Sequence, residues 1–251
     1  MISTTRLLFL EILKDSLENI KYDSDQEITL KQWQELYHLA SIHDVIPLFV
    51  HTVYSSKPLQ AYPEFKALMI SRAKSITLQQ AQKSASFIDL YSQMKENNLH
   101  PVVMKGVLCR QLYPEPEQRP SSDEDLLISP EQIDDYHHFF LSHGFNLVIP
   151  DIDLETSDEI SYENRDTHLY IEVHKYLFPP QSSAFGTLNS LFDLSQKQWS
   201  TPIYGTPILC LSPTMHLLYM IAHAYKHFLY SGIGIRQICD ICLFTKTYGS
   251  Q

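Results

Sequence analysis

The hydrophobic pattern of this chain changes at Asn98, and that change limits the folds it can adopt. Before it, apolar residues recur with the period of amphipathic helices, as at Trp33 and Leu36 in a segment that starts near Leu30. After it, short apolar runs of strand length begin with residues 101–104. Helical patterns return near the C-terminus. The sequence therefore predicts an α+β fold, a small mixed β-sheet core flanked by N-terminal and C-terminal helices.

Proline, glycine and capping residues set the expected boundaries. They divide the chain into a helical region at 1–97, a core at 98–210 and a C-terminal helical region at 211–251, for which truncation is one interpretation. Long helices are expected over 63–97 and from Pro213 through Tyr230. Strands are expected at 101–104, 124–128, 145–149, 160–162 and 168–176, and the remainder after Tyr176 is expected to be mainly helical.

Composition excludes several classes of protein. Hydrophobic residues make up 44% and charged residues 19%, which is typical of a globular domain rather than a disordered chain. The formal net charge of -10 disfavours binding to long nucleic acid, which needs clustered Lys and Arg. No apolar run reaches the roughly 18 residues of a membrane span. The four scattered cysteines suit a reducing compartment, so a cytoplasmic location is expected, and Cys239 and Cys242 are interpreted as buried thiols on one helix.

The strongest local signal is the acidic start of the strand at 124–128. Asp123 and Asp125 are two residues apart, so a strand would point both carboxylates to one face. Adjacent carboxylates repel one another, and a divalent cation relieves that repulsion. A solvated strand end is the alternative for this pair alone. Glu172 strengthens the metal hypothesis, because it lies on the polar face of the strand at 168–176, beside His174.

Basic residues and histidines supply candidate contacts for phosphate. Lys105 and Gly106 form a turn between a strand and a helix, where glycine permits close approach of a phosphate to the backbone. Arg119 is a candidate clamp for a phosphate or a carboxylate. His216, His223 and His227 fall on one stripe of the helix that follows Pro213. The sequence leaves two roles open for these histidines: they line a cleft, or they pack within the helix layer.

Together these motifs resemble the uncharacterised nucleotidyltransferase-like family of bacteria, within the DNA polymerase beta-type nucleotidyltransferase superfamily. The resemblance spans about 102–240 and rests on 104–106, 112–116, 119–120, 123–128 and 170–174, and on His223, His227, Arg236 and Asp240. It implies a nucleotidyltransferase core, a nucleoside triphosphate such as ATP as substrate, and magnesium or manganese as the metal. The superfamily usually places serine or glycine after the turn glycine. Here Val107 stands at that position, and Lys105 is the candidate substitute.

The resemblance implies roles for Asp123, Asp125, Glu172 and Gly106, and the residue patterns above supply the other candidates. Asp123, Asp125 and Glu172 are the expected metal-binding and catalytic carboxylates. The expected nucleotide-binding residues are Lys105, Gly106, Arg119, His174, His223, His227 and Arg236. The predicted activity is transfer of a nucleoside monophosphate to an unknown small-molecule or protein acceptor. The alternative is a non-catalytic nucleotide-binding module, or a regulatory partner of the toxin–antitoxin type.

Overall fold

The structure is a computed structural model that describes residues 3–192 and 199–249. These residues pack into two compact units. The first combines the described residues through Ala81 with Arg110–Pro120 and His227–Thr247. The second combines Gln82–Cys109 with the described part of Ser121–Lys226 and with the last two described residues.

The first unit is helical. It contains α1 (Thr4–Leu17), α2 (Leu30–Ile42), α3 (Ile46–Val53), the beginning of α4 (Pro63–Glu96) and nearly all of α8 (Ile235–Tyr248). A capping box opens α2: Gln32 N–H donates to the Thr29 hydroxyl, and the Gln32 side chain accepts from Thr29 N–H. The apolar faces of these helices meet in one core around Ile12, Trp33 and Phe49, all fully buried.

The second unit is built on a mixed sheet, which in the described residues has seven strands. In chain order they are β1 (Val102–Met104), β2 (Glu124–Leu127), β3 (Asn146–Leu147), β4 (Glu159–Asn164), β5 (Leu169–His174), β6 (Trp199–Ile203) and β7 (Thr206–Cys210). Their order across the sheet is β3-β4-β5-β2-β1-β7-β6. The pairs β2–β5 and β1–β7 are parallel and the others antiparallel.

Helices and loops cover this sheet with two apolar layers. The unit also contains most of α5 (Gly106–Arg110), α6 (Ile133–Ser142), most of α7 (Pro213–Tyr230) and the end of α4. Val103 and Leu126 face a core shared with Phe87 of α4 and Phe140 of α6. The neighbouring strand positions face a second cluster that includes Tyr219 of α7. The predicted α+β fold with a mixed sheet is confirmed.

One feature of the sheet was not expected. The described region after Tyr176 is mainly helical, as predicted, but it also contains β6 and β7, which form an antiparallel hairpin at the edge of the sheet. Pro202 and Pro207 lie opposite each other in it. Pro202 is on the edge strand β6, where proline is tolerated, and Pro207 is in β7 at a position outside the pairing of that strand with β1. Tyr204 and Gly205, with φ of 47° and 83°, form the two-residue turn. No helix among the described residues is both long and apolar enough to cross a bilayer.

Candidate metal site

Two neighbouring strands bring carboxylates together on one face of the sheet. In the parallel pairing of β2 with β5, Asp125 lies opposite Glu172. His174, two residues further along β5, points to the same face. One ligand atom from each of these three residues lies within 4.8 Å of the other two. Among the described residues this is the group of side chains arranged to hold a metal ion.

Asp123 lies just before β2 and is half-buried, outside this group of three. Its carboxylate accepts a hydrogen bond from the Ser122 hydroxyl at 3.1 Å. Its negative charge nevertheless contributes to raising the pKa of both Lys105 and Glu172. The role of Asp123 as a metal ligand therefore stays a prediction.

The two carboxyl groups differ in pKa. Burial raises the pKa of Glu172 to about 7, and the negative charges of Asp125 and Glu159 add to that effect. Burial also opposes ionisation of Asp125, but the Lys105 ammonium and His174 outweigh it and hold its pKa well below its usual value. A carboxyl group with a raised pKa beside a carboxylate with a lowered pKa indicates a site with too little positive charge to neutralise both.

His174 links the group to a further acid. Its Nε2 lies 3.1 Å from Asp125 Oδ1 and 3.8 Å from Glu172 Oε2. Its Nδ1 lies 3.5 Å from Glu159 Oε2. A carboxylate at the second ring nitrogen is the usual support of a metal-binding histidine. The structure thus places this predicted nucleotide-binding residue among the carboxylates, with the geometry of a metal ligand.

Lys105 reaches the same carboxylate from the turn after β1. Its Nζ lies 3.1 Å from Asp125 Oδ2 and 3.1 Å from His223 Nε2, and 5.5 Å from the centre of the Tyr219 ring. Its backbone N–H donates to His216 Nε2 at 3.1 Å. Two of the three histidines on the α7 stripe therefore hold the Lys105 turn.

Gly106 has a local partner that the sequence reading missed. Glu124 is only 1% exposed, and its Oε2 accepts a hydrogen bond from Val107 N–H at 2.8 Å. A Cβ on Gly106 would lie 2.0 Å from that oxygen. The signal was the position of Glu124 between two aspartates, because alternation turns it to the opposite face of the strand. Gly106 thus leaves room for the Glu124 carboxylate, which accepts a hydrogen bond from the backbone N–H of the next residue, Val107.

The other predicted nucleotide contacts belong to the first unit. Arg119 forms a buried ion pair with Asp240, with Nε–Oδ1 and Nη2–Oδ2 distances of 3.0 and 2.6 Å. Arg236 donates to the carbonyl of Pro120. His227 Nδ1 lies 3.1 Å from the Ser231 hydroxyl. Arg119 was expected to bind either a phosphate or a carboxylate, and in the structure it binds the Asp240 carboxylate.

The donor set fits a divalent cation. Two carboxylates and one imidazole offer oxygen and nitrogen ligands within a few ångströms, a combination suited to manganese and, with water and phosphate oxygens, to magnesium. The raised pKa of Glu172 shows that two charged carboxylates are unfavourable there without further positive charge. Asp125, Glu172 and His174 are thus the residues that would hold the ion.

Comparison with known proteins finds similarity to a protein family and to a solved structure. A family described as an uncharacterised nucleotidyltransferase matches residues 29–251. The crystal structure of an antigenic nucleotidyltransferase-like protein from Paracoccidioides brasiliensis is 19% identical, with a TM-score of 0.44 over 66% of this chain and 77% of that one. None of the curated proteins matches.

Proposed function

The chain belongs to the uncharacterised nucleotidyltransferase family, and we propose that it moves a nucleoside monophosphate from a nucleoside triphosphate to an acceptor hydroxyl. The acceptor would be a small molecule or a protein side chain. The observation that carries this proposal is the register of β2 against β5, which sets Asp125 opposite Glu172 with His174 beside them. A site that gathers carboxylates around one point is suited to phosphoryl and nucleotidyl transfer with a divalent metal.

In the proposed reaction the acceptor oxygen bonds to the α-phosphorus and the bond to pyrophosphate breaks. The acceptor proton is lost to solvent. When bound, the divalent ion neutralises the charge that builds on the phosphate oxygens. Asp125 and Glu172 would hold and orient it, His174 would complete the donor set, and Asp123 would add negative charge close by. Lys105 contributes positive charge for the leaving phosphates. Catalysis of this kind depends mainly on positioning and charge neutralisation.

A direct test is pyrophosphate release with each of the four ribonucleoside triphosphates, in magnesium or manganese, alongside calorimetry with a non-hydrolysable analogue. Asp125→Asn and Glu172→Gln should each lower metal-dependent release on the order of 100-fold. Glu163→Gln is the matched control, because Glu163 lies on the neighbouring strand β4 and pairs with the exposed Arg165. Equal activity in all three variants would refute the metal role of this group.

A non-catalytic nucleotide-binding module is the second candidate, and one observation favours it. The turn that contacts phosphate in the superfamily lacks a hydroxyl, since Val107 follows Gly106, and Glu124 already accepts the Val107 N–H. Metal-dependent binding of the analogue without pyrophosphate release from any triphosphate would support this reading. In that case Asp125→Asn would abolish binding of the analogue while no turnover is seen in the parent protein.

A further inference from the structure

Lys105 contacts a carboxylate that also belongs to the candidate metal site. Asp125 is 1% exposed, and its Oδ2 already lies 3.1 Å from the Lys105 ammonium. The proposed metal uses the same carboxylate. In the absence of a ligand, the Lys105 ammonium therefore neutralises the Asp125 carboxylate. A cation that binds at Asp125 would be repelled by the positive charge of Lys105.

A hydrogen bond holds the backbone of Lys105, and its side chain, which is 18% exposed, ends at Asp125 and His223. Lys105 and Gly106 both have positive φ, 45° and 29°, and the Lys105 N–H is held by His216 on α7. The ammonium is held at the end of a flexible four-carbon stem. An ammonium has only donors, so His223 Nε2 must accept from it and the ring proton lies on Nδ1. The contacts with Asp125 and His223 therefore define one resting position that a rotation of the stem can leave.

One further feature of the turn favours Lys105 as the group that contacts a phosphate. The N–H of Val107, the donor that a glycine turn would present to a phosphate, donates to Glu124 instead. The charged end of Lys105 is thus the group by which this turn can attract an anion. A triphosphate that arrives with its metal brings both a cation for Asp125 and an anion for Lys105.

We propose that Lys105 is an exchangeable counter-ion, which neutralises Asp125 in the metal-free protein and transfers to the triphosphate when metal and nucleotide bind. This inference rests on the proposed function. It gives metal and triphosphate a positive coupling, because the metal displaces Lys105 from Asp125 and the displaced ammonium then strengthens triphosphate binding. It also predicts that loss of the lysine changes the two affinities in opposite directions.

The experiment compares Lys105→Met with the parent protein in two calorimetric titrations. Affinity for manganese alone should rise about tenfold, because the competing charge is gone, whereas affinity for a non-hydrolysable triphosphate at saturating manganese should fall at least about tenfold. Lys105→Arg keeps the charge and should stay near the parent protein in the first titration. Lys95→Met, a lysine near the end of α4, is the control for removing a positive charge elsewhere in the second unit.

Outcomes separate this inference from the proposed function. If Lys105→Met binds manganese no more tightly than the parent protein, the exchange is overturned while the metal site stands. If neither protein binds manganese, the proposed function fails first. Should Lys105→Met fail to fold, side-chain amine NMR of the parent protein provides the test, with Lys105→Arg used for assignment. The Lys105 signal should shift between the metal-free protein and the protein with diamagnetic magnesium and the triphosphate analogue, and an unchanged signal would overturn the exchange.

Discussion

At the scale of single residues, the turn at Gly106 is the place where backbone conformation and a buried charge constrain each other. Gly106 has φ of 29°, and the space where a side chain would begin is filled by Glu124 Oε2, 2.0 Å away. Glu124 is a flexible side chain, but moving it would take the acceptor from Val107 N–H. Either a clash or an unsatisfied buried donor follows from any larger residue at this position.

We therefore expect Gly106→Ala to lower the free energy of unfolding by about 3 kcal/mol, from backbone strain together with the lost Glu124 contact. Urea denaturation measures this. Gly205→Ala is the matched variant, because Gly205 also has positive φ, 83°, but no atom lies within 4 Å of its added Cβ. It should cost only about 1 kcal/mol. Equal losses in the two variants would show that Glu124 imposes no constraint on the glycine.

At the scale of elements, the sequence predicts what depends on local periodicity. Alternation along β2 and β5 was enough to place Asp125 on one face of its strand and Glu172 on the polar face of the other. Periodicity could not show that these two strands are neighbours, because strand order depends on the long-range packing of the whole sheet. The hairpin of β6 and β7 was missed because its prolines weaken the strand signal.

Buried polar pairs were equally hidden from the sequence. Arg119, a few residues before the two aspartates, was a candidate clamp for a phosphate or a carboxylate and was predicted to be a nucleotide contact. Its partner Asp240 lies on α8, far along the chain, and only the packing of the first unit brings the two together. The buried carboxylate Glu124 was overlooked for a related reason, since its role depends on the turn that folds against it.

The attachment of α8 gives the prediction at this scale. Asp240 accepts from Arg119 and, at 2.7 Å, from the Tyr113 hydroxyl, and the Arg119 and Asp240 side chains are 5% and 6% exposed. Asp240→Asn should lower the free energy of unfolding by about 3–5 kcal/mol, because it leaves a buried guanidinium without its carboxylate. Denaturant unfolding is the measurement.

Two comparisons test that account of Arg119. Glu163→Gln removes the carboxylate of an exposed ion pair with Arg165 and should cost less than about 1 kcal/mol. Arg119→Met should also be destabilising, since it leaves Asp240 buried without its cation. If Arg119→Met instead keeps full stability and loses only affinity for the triphosphate, the arginine acts on the nucleotide and the structural account is wrong.

At the scale of the whole molecule, the net negative charge determines which classes of ligand the protein can attract. The chain carries 29 acidic residues against 19 Lys and Arg. The resulting field repels polyanions over roughly a Debye length, about 8 Å at physiological salt. The proposed nucleoside triphosphate is small and would arrive with its metal, so the local positive charge at Lys105 would be enough to attract it. The acceptor in the proposed reaction is for the same reason expected to be a small molecule or a protein.

This argument predicts how the protein responds to a nucleic acid. A fluorescently labelled single-stranded RNA or DNA of about 20 nucleotides should bind with a Kd weaker than about 100 µM at physiological salt, because no large group of phosphates is neutralised. Lowering the salt should strengthen that binding little, since the slope of log affinity against log salt counts the phosphates contacted. The triphosphate analogue should still bind under the same conditions, which shows that the protein is intact. A steep salt slope together with micromolar affinity would instead reveal a basic surface strong enough to overcome the net charge, and the acceptor would then have to be sought among nucleic acids.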